Sequence, residues 1–376
     1  MTQFDRTQLK TLSLSSRKSK SSIESIAIDP DASPPAFDEN YNLIEKIADA
    51  IVQAKKNHGS IILAFGAHLV KNGLGLVLRR MVEEKLVTHL ATNGAGSIHD
   101  WEFAFHGKSE EDVRYYVQQG QFGMWEETGN YINLALLVAA ARGKGYGESI
   151  AELIHRDRII IPNFDELKKT IWNELKNQKT IAGDIGGLAD LWAFLGTYAD
   201  QYNLKPGEMM IKHPFKRYSV QEVTYFSKIP ITVHPGFGYD IIYSNPYSCG
   251  SAIGRVAEID WLKFANSIAK LEGGVYLSIG SAIMSPMIFE KALAMARNVA
   301  KQNGKEIKNF MIAVNDIQDS GGWKWGTGIE PPKDSPAYYL RFCKTFDRMG
   351  ARGMHYVRAD NRAFLINLYH CLKKKI

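Results

Sequence analysis

Six short apolar runs recur along this chain, and each one is stopped by glycine or by a polar residue. The runs are Ile61–Phe65, Val87–Ala91, Ile229–Val233, Gly274–Ile279, Asn309–Val314 and His355–Val357. Runs of this length are typical of strands that are buried on both faces of a parallel sheet. Segments with helical spacing of apolar residues separate them, beginning near Asn42. The alternation predicts an α/β fold with a doubly wound, mostly parallel sheet.

The composition changes along the chain and suggests its organisation. Residues 1–36 are rich in Ser, Lys and Asp and end at Ser33-Pro34-Pro35, which predicts a flexible N-terminal arm. We expect residues 37–376 to form a single large α/β domain. Within it, residues 100–215 have mainly helical patterns and are interpreted as a helical insertion or cap.

Several classes of function are disfavoured by the bulk properties of the chain. The formal charge is only +6, and its excess lies in terminal runs that we interpret as solvated tails rather than a nucleic-acid surface. No apolar stretch approaches the roughly 20 residues that span a bilayer. The N-terminus lacks the apolar core of a secretory signal, so we expect a cytoplasmic protein. The three cysteines have no metal or redox spacing, which predicts reduced thiols and no metal site.

The residues that follow the predicted strands are unusually polar and rich in glycine. In open α/β sheets, ligands bind outside the carboxyl ends of the strands, where glycine allows close backbone approach. The sequence therefore predicts a small-molecule site shared by these ends. The dinucleotide motif GxGxxG is incomplete, because Gly94-Ala95-Gly96 lacks the third glycine, and no GxxxxGK[ST] phosphate loop occurs.

Two clusters of acidic residues carry possible chemistry. His99 could transfer protons while Asp100 orients it, with Glu102 close by; alternatively, the two carboxylates only cap the first helical turn. Glu126 and Glu127 could bind a cation, although residues of a first helical turn would be favoured by the helix dipole as well.

A third acidic and aromatic set lies near the end of the chain. It comprises Asp316, Asp319, Trp323, Trp325, Glu330 and Asp334. Carboxylates and aromatic rings together suit a polyamine, through ion pairing and cation–π contact. A solvent-exposed loop would explain the same composition.

Several of these segments resemble the deoxyhypusine synthase family. The similar segments are Ile62–Leu74, Asn93–Asp100, Ile231–Asp240, Leu277–Ser281 and Ala359-Asp360. The resemblance runs in patches from about residue 40 to the C-terminus, and residues 140–210 match poorly. It implies a sirtuin-like NAD-binding fold, a homotetramer, and NAD-dependent transfer of an aminobutyl or related aminoalkyl group from a polyamine such as spermidine to an amine acceptor.

The resemblance and the strand ends together give a set of candidate site residues. The expected NAD-binding residues are Gly66, Ala67, His68, Asn93, Gly94, Ala95, Gly280, Ser281, Asn315, Asp316, Ala359 and Asp360. Asp240, Asp334 and Tyr338 are expected to bind the substrate. His99, Asp100 and Lys324 are the candidate catalytic residues.

The chain departs from the family at its catalytic lysine. In the best register Asp334 matches the acid that binds spermidine, Tyr338 matches a tryptophan, and Leu340 falls at the lysine. Leucine cannot form an imine, so Lys324, Lys333 or Lys344 could act only from a differently arranged loop. Two other interpretations therefore stay open: a hydrolase or lyase that uses His99 and Asp100, and a nucleotide-binding protein without catalysis.

Overall fold

A computed structural model describes residues 2–37, 41–177 and 182–376, without the side chains of residues 177 and 182–184. Contacts divide the chain into two compact units. The helical unit comprises Met1–Ser25, Ser97–Tyr225 and Pro235–Trp261, and the sheet unit comprises Ile26–Gly96, Phe226–His234 and Leu262–Ile376.

The sheet unit is built on six parallel strands. They are β1 (Ile61–Phe65), β2 (His89–Asn93), β3 (Ile231–His234), β4 (Val275–Ile279), β5 (Met311–Asp316) and β6 (Gly353–Arg358). Their order across the sheet is β6-β5-β4-β1-β2-β3, and every pair is parallel. All residues of β1 and β4 are buried, as their continuous apolar sequences predict for strands covered on both faces.

The chain winds outward from the centre of the sheet in two directions. From β1 it adds β2 and then β3 on one side, and β4, β5 and β6 follow on the other side. Because crossovers between parallel strands are right-handed, the two directions place the connecting helices on opposite faces. The helices of this unit are Tyr41–Lys56, Ala67–Lys71, Gly75–Glu83, Met284–Gln302, Arg341–Asp347 and Asn361–Lys375. The predicted doubly wound α/β sheet is confirmed.

The helical unit contains helices and two antiparallel pairs of short strands. Its helices are Val113–Gln118, Glu126–Ala141, Tyr146–Arg156, Phe164–Asn177 and Ala182–Tyr198. The strand pairs are Ser21–Ser22 with Lys108–Ser109, and Arg158–Ile161 with Gly207–Met210. Ile23–Ile26, Gly94–His106, Val220–Ser227 and Gly250–Ile268 are further helices, whose residues are divided between the two units. Within the described ranges, no helix combines the length and apolar character needed to cross a membrane.

The composition of residues 1–36 predicts a flexible arm, and parts of this segment pack within the helical unit. Leu14 is fully buried in the helical unit, and the Ile23 N–H donates to the Gly107 carbonyl at 2.9 Å. The basic run Arg17-Lys18-Ser19-Lys20 is expected to be solvated. Arg17 is instead buried in an ion pair with Glu102 at 2.7 Å. Composition alone cannot predict an ion pair between two residues that are distant in the sequence.

Candidate functional site

The strand order reverses between β1 and β4, and the turns that follow these two strands touch. The Gly66 N–H donates to the Ile279 carbonyl at 3.2 Å, which continues the sheet into the turn. A Cβ atom on Gly66 would lie 2.2 Å from the Gly280 carbonyl oxygen, and Gly280 itself has a φ of +56°. Glycine is therefore required at both turns. Reversal points of this kind are where open α/β sheets bind dinucleotides.

The helix that follows β4 begins without a side-chain cap at its first position. Ile283 is the N-cap residue of the 19-residue helix Met284–Gln302, and it makes no capping hydrogen bond. The Ser281 hydroxyl accepts from the Ser285 N–H at 3.2 Å. Since the N–H groups of a first turn lack intrahelical acceptors, the start of this long helix suits an anion such as phosphate.

Asn315, at the end of β5, presents an unsatisfied acceptor at the same edge. Its side chain is almost fully buried, and its Nδ2 donates to the carbonyls of Val357 at 3.1 Å and Ala359 at 2.9 Å. Its Oδ1 accepts no hydrogen bond from the residues that the structure describes. A buried acceptor left unpaired costs about 1–3 kcal/mol. Because this Oδ1 has almost no exposed surface, a ligand donor would reach it only after a local shift of the surrounding atoms.

Other amide and carboxylate side chains lie at the same edge of the sheet. Asn72 donates to the Oδ1 of Asn361 at 2.8 Å, linking the segment after β1 to the helix after β6. Asp316 is half-buried, and its Oδ1 accepts from the Gln318 N–H at 3.1 Å. Asp360 caps the last helix, and its hydrogen bonds with Arg362 lower the pKa of its carboxyl group.

The remaining predicted strand-end residues lie after β1 and β2. Ala67 is half-buried and His68 is exposed, both in the short helix after β1. Asn93 ends β2, and its Oδ1 accepts from the Gly96 N–H at 2.9 Å, so it caps the helix that starts with Gly94 and Ala95. Since all six strands are parallel, the fold gathers all twelve predicted cofactor residues at one edge of the sheet unit.

Asp100 does not orient His99, although the two residues are adjacent. Its buried carboxylate accepts from the Ser219 hydroxyl at 2.6 Å and from the backbone N–H groups of Val220 at 2.9 Å and Gln221 at 3.1 Å. Asp100 thereby caps the helix Val220–Ser227. Successive residues of a helix point about 100° apart, which explains why the neighbours have different partners.

His99 belongs to a separate chain of hydrogen bonds in the helical unit. Its Nδ1 lies 2.7 Å from the Ser109 hydroxyl, which donates to Glu102 at 2.6 Å. Because the hydroxyl has one proton, Nδ1 must be the donor to Ser109. Burial opposes ionisation of Glu102, but the Arg17 charge and the hydrogen bonds from Arg17 and Ser109 together outweigh it, and the net pKa of the carboxyl is lowered. Arg17 and Ser109 could not be identified from the sequence, because their roles depend on distant partners.

The expected substrate carboxylate Asp240 is also in the helical unit. Its side chain is only 9% exposed and accepts from the Gly236 N–H at 2.7 Å. Burial raises the pKa of this carboxyl to about 6. Glu127, one of the two glutamates considered as cation ligands, instead accepts from the Leu14 N–H at 2.6 Å and the Ser13 hydroxyl at 2.8 Å.

The segment between β5 and β6 contains the other expected substrate and catalytic residues. Lys324 and Asp334 are exposed, while Tyr338 is half-buried beneath the Lys344 ammonium, 4.0 Å from the ring centroid. Leu340, which stands where the resembling family has its lysine, is 2% exposed. This position is part of the core, and it offers no nucleophile.

No protein-family model matches the sequence, and no curated protein does so. Solved structures of low identity resemble it. Unliganded AgrE is 14% identical with a TM-score of 0.47, over 92% of this chain and 34% of AgrE. A conserved putative LOR/SDH protein from Methanococcus maripaludis is 13% identical with a TM-score of 0.42, over 92% of this chain and 71% of that one. A putative deoxyhypusine synthase from Entamoeba histolytica is 10% identical with a TM-score of 0.37, over 89% of this chain and 88% of that one.

The chain thus spans about a third of the length of AgrE. A complex of AgrE with ornithine and NAD+ gives a TM-score of 0.45 at 13% identity. The fold class of this chain follows from its own sheet of six parallel strands.

Proposed function

We propose that this chain is an NAD-dependent enzyme whose dinucleotide site is the carboxyl edge of the sheet unit. The observation that carries the proposal is the reversal of strand order between β1 and β4, where Gly66 and Gly280 meet. The order 3-2-1-4-5-6 is the arrangement of dinucleotide-binding sheets, with the ligand at the reversal.

The residues present fit an adenine dinucleotide. The pyrophosphate would lie at the start of the helix Met284–Gln302, next to Gly280 and Ser281. Asn315 Oδ1, which lacks a partner among the described residues, would accept from an adenine amine or a ribose hydroxyl. Asp316 and Asp360 would add acceptors on this side, and the other half of the dinucleotide would extend along the ends of β1 and β2.

For the reaction we propose transfer of an aminoalkyl group from a polyamine to an amine acceptor, as the family resemblance implies. Asp334 and Tyr338, both in the sheet unit, would hold the cationic substrate by ion pairing and cation–π contact. NAD, when bound, supplies the acceptor for a hydride from the carbon that bears the amine. Lys324, in the same unit, is the candidate nucleophile. If Lys324 takes no part, a free amine would be the direct acceptor, since Leu340 has no amine.

The hydrolase or lyase interpretation receives less support. It needs His99 and Asp100 to act together, but four hydrogen bonds commit Asp100 to Ser219, Val220 and Gln221. A nucleotide-binding protein without catalysis would share the same dinucleotide edge, and measurements of turnover distinguish it from an enzyme.

Thermal unfolding with and without NAD tests the site. Ligand at about 100 times its dissociation constant should add roughly 2.7 kcal/mol of stability. Ser281→Asp keeps an acceptor for the Ser285 N–H but places a charge against the pyrophosphate, so the NAD-induced shift should disappear while the unfolding temperature without NAD is retained. Ser251→Asp puts the same charge in the first turn of the helix Gly250–Ile268, and it should leave the NAD shift intact.

Addition of spermidine then tests the reaction. A further increase of the unfolding temperature in the presence of NAD, with aminoalkyl products detected by mass spectrometry, is the expected result. If the wild-type protein shows no shift with NAD at any concentration, the dinucleotide proposal is wrong. If NAD binds but spermidine changes neither stability nor products, only the choice of a polyamine substrate is wrong.

A further inference from the structure

Four polar side chains form a continuous hydrogen-bonded row inside the sheet unit. The Ser267 hydroxyl lies 2.8 Å from Nδ1 of His89, and Nε2 of His89 lies 2.9 Å from the Thr232 hydroxyl. The same hydroxyl lies 3.0 Å from Nε2 of His234. Each distance is that of a hydrogen bond, and the row is unbroken from Ser267 to His234.

This row leads from a partly exposed position to the proposed binding edge. Ser267 lies on the helix Gly250–Ile268 and is half-buried, whereas His89 and Thr232 are fully buried. His234 is the last residue of β3 and pairs with Asn93, one of the predicted cofactor residues at the end of β2.

The four groups can pass a proton because each of them both donates and accepts. The hydroxyl of Thr232 has one proton and stands between two Nε2 atoms, so it donates to one imidazole and accepts from the other. In one arrangement His89 has its proton on Nδ1 and His234 has its proton on Nε2. In the other arrangement both imidazoles have exchanged nitrogens, and every hydrogen bond of the row is reversed.

The surroundings keep both imidazoles neutral, which this exchange requires. The ring of Phe264 packs edge-on against both, with centroids 5.6 Å from His89 and 5.3 Å from His234. Burial lowers the pKa of each imidazole to about 3. At neutral pH each ring therefore has one proton, and the row is not blocked by a second.

We propose that Ser267, His89, Thr232 and His234 form a proton wire that carries a proton between the carboxyl edge of the sheet and solvent. The existence of the wire stands on these contacts alone, whereas the source of the proton rests on the proposed function. An ammonium substrate must lose a proton before its carbon can give a hydride to NAD. Its N–H bond breaks as Nδ1 of His234 takes the proton, and the Nε2 proton of His234 passes to Thr232.

The transfer continues without leaving charge in the core. The Thr232 proton passes to Nε2 of His89, the Nδ1 proton of His89 passes to Ser267, and the original Ser267 proton leaves to water. One proton enters and one leaves, and both imidazoles end in the opposite tautomer. A hydroxyl at position 232 is indispensable to this sequence of transfers.

Nitrogen-15 NMR of the full chain labelled at histidine tests the wire without any ligand. The fraction of His89 that is protonated on Nδ1 should equal the fraction of His234 protonated on Nε2, and the two should change together with temperature. Thr232→Val should uncouple them, while Thr232→Ser should keep them coupled. Thr92→Val is the matched control, since among the described residues the buried Thr92 hydroxyl donates to the Phe65 carbonyl at 3.0 Å and takes no part in the row. Unequal or independent fractions in the wild-type protein would overturn the wire.

Kinetics separate the wire from the proposed reaction. With NAD and spermidine, Thr232→Val should slow substrate oxidation by roughly 10²-fold, the lower range for assisted proton transfer, while the thermal shift with NAD is unchanged. Coupled tautomers without any NAD binding would leave the wire standing and refute the dinucleotide site. An unchanged rate in Thr232→Val, with NAD bound and products formed, would show that the wire serves no step of this reaction.

Discussion

Gly66 approaches Gly280 so closely that a Cβ atom on the first would lie 2.2 Å from the carbonyl oxygen of the second. Gly66 has a φ of −90°, a conformation open to any residue, so only the contact excludes a side chain there. Gly66→Ala should therefore destabilise the protein by overpacking, by about 1–3 kcal/mol in urea unfolding.

Gly254→Ala provides the control for this substitution. Gly254 lies inside the helix Gly250–Ile268, and a Cβ atom there would meet nothing within 4 Å. This variant should be as stable as the wild type or up to about 1 kcal/mol more stable, because alanine favours a helix interior. Equal stabilities of the two variants would contradict the packing described for the turns.

The buried ion pair between Arg17 and Glu102 gives a second prediction. Arg17→Met leaves an uncompensated carboxylate in the core and should cost about 3–5 kcal/mol of unfolding free energy. Adding Glu102→Gln should recover part of this loss. The exposed pair of Arg217 and Glu24, 3.7 Å apart, is the control, and Arg217→Met should change stability by less than about 1 kcal/mol.

Asp240 predicts a pH dependence of stability. Burial raises the pKa of its carboxyl from 3.8 to about 6, so the folded protein binds this proton more tightly than the unfolded chain does. The stability that this tighter proton binding gives to the folded protein is fully present below pH 3.8 and is lost as the pH rises through about 6. Asp240→Asn keeps an acceptor for the Gly236 N–H but cannot titrate, so it should lose less stability than the wild type between pH 4 and pH 7 in urea titrations.

The candidate nucleophile gives a fourth prediction. Under the proposed transfer, Lys324→Ala should abolish product formation, since an imine with the enzyme needs that amine. Lys333→Ala, another exposed lysine of the same segment, should retain activity. Full activity of Lys324→Ala would leave a free amine as the direct acceptor. Product analysis by mass spectrometry, with NAD binding confirmed for both variants, makes the comparison.

The sequence predicted the sheet well because its signals are local. An apolar run such as Ile61–Phe65 followed by glycine needs no partner to be interpreted, and all six strands were identified with boundaries shifted by a few residues. Parallel pairing then brings the strand ends to one edge automatically.

Hydrogen bonds between residues that are distant in the chain cannot be predicted from local pattern. Asp100 is a candidate catalytic residue by sequence, and its hydrogen bonds go to Ser219 and its neighbours, more than a hundred positions away. His89 lies in the middle of an apolar run. Its hydrogen bond with Thr232 cannot be predicted from that run, because it depends on the pairing of β2 with β3. Local pattern contains no information about either relationship.

The position of β4 beside β1 has a consequence for how the molecule forms. Leu63 pairs with Leu277, so the two central strands come from opposite halves of the chain. Contacts between such remote segments slow folding. During synthesis one edge of β1 remains unpaired until Val275–Ile279 has emerged from the ribosome. The edge proposed for dinucleotide binding cannot form before then, and a chain truncated before Ile279 should associate through the open edge of β1.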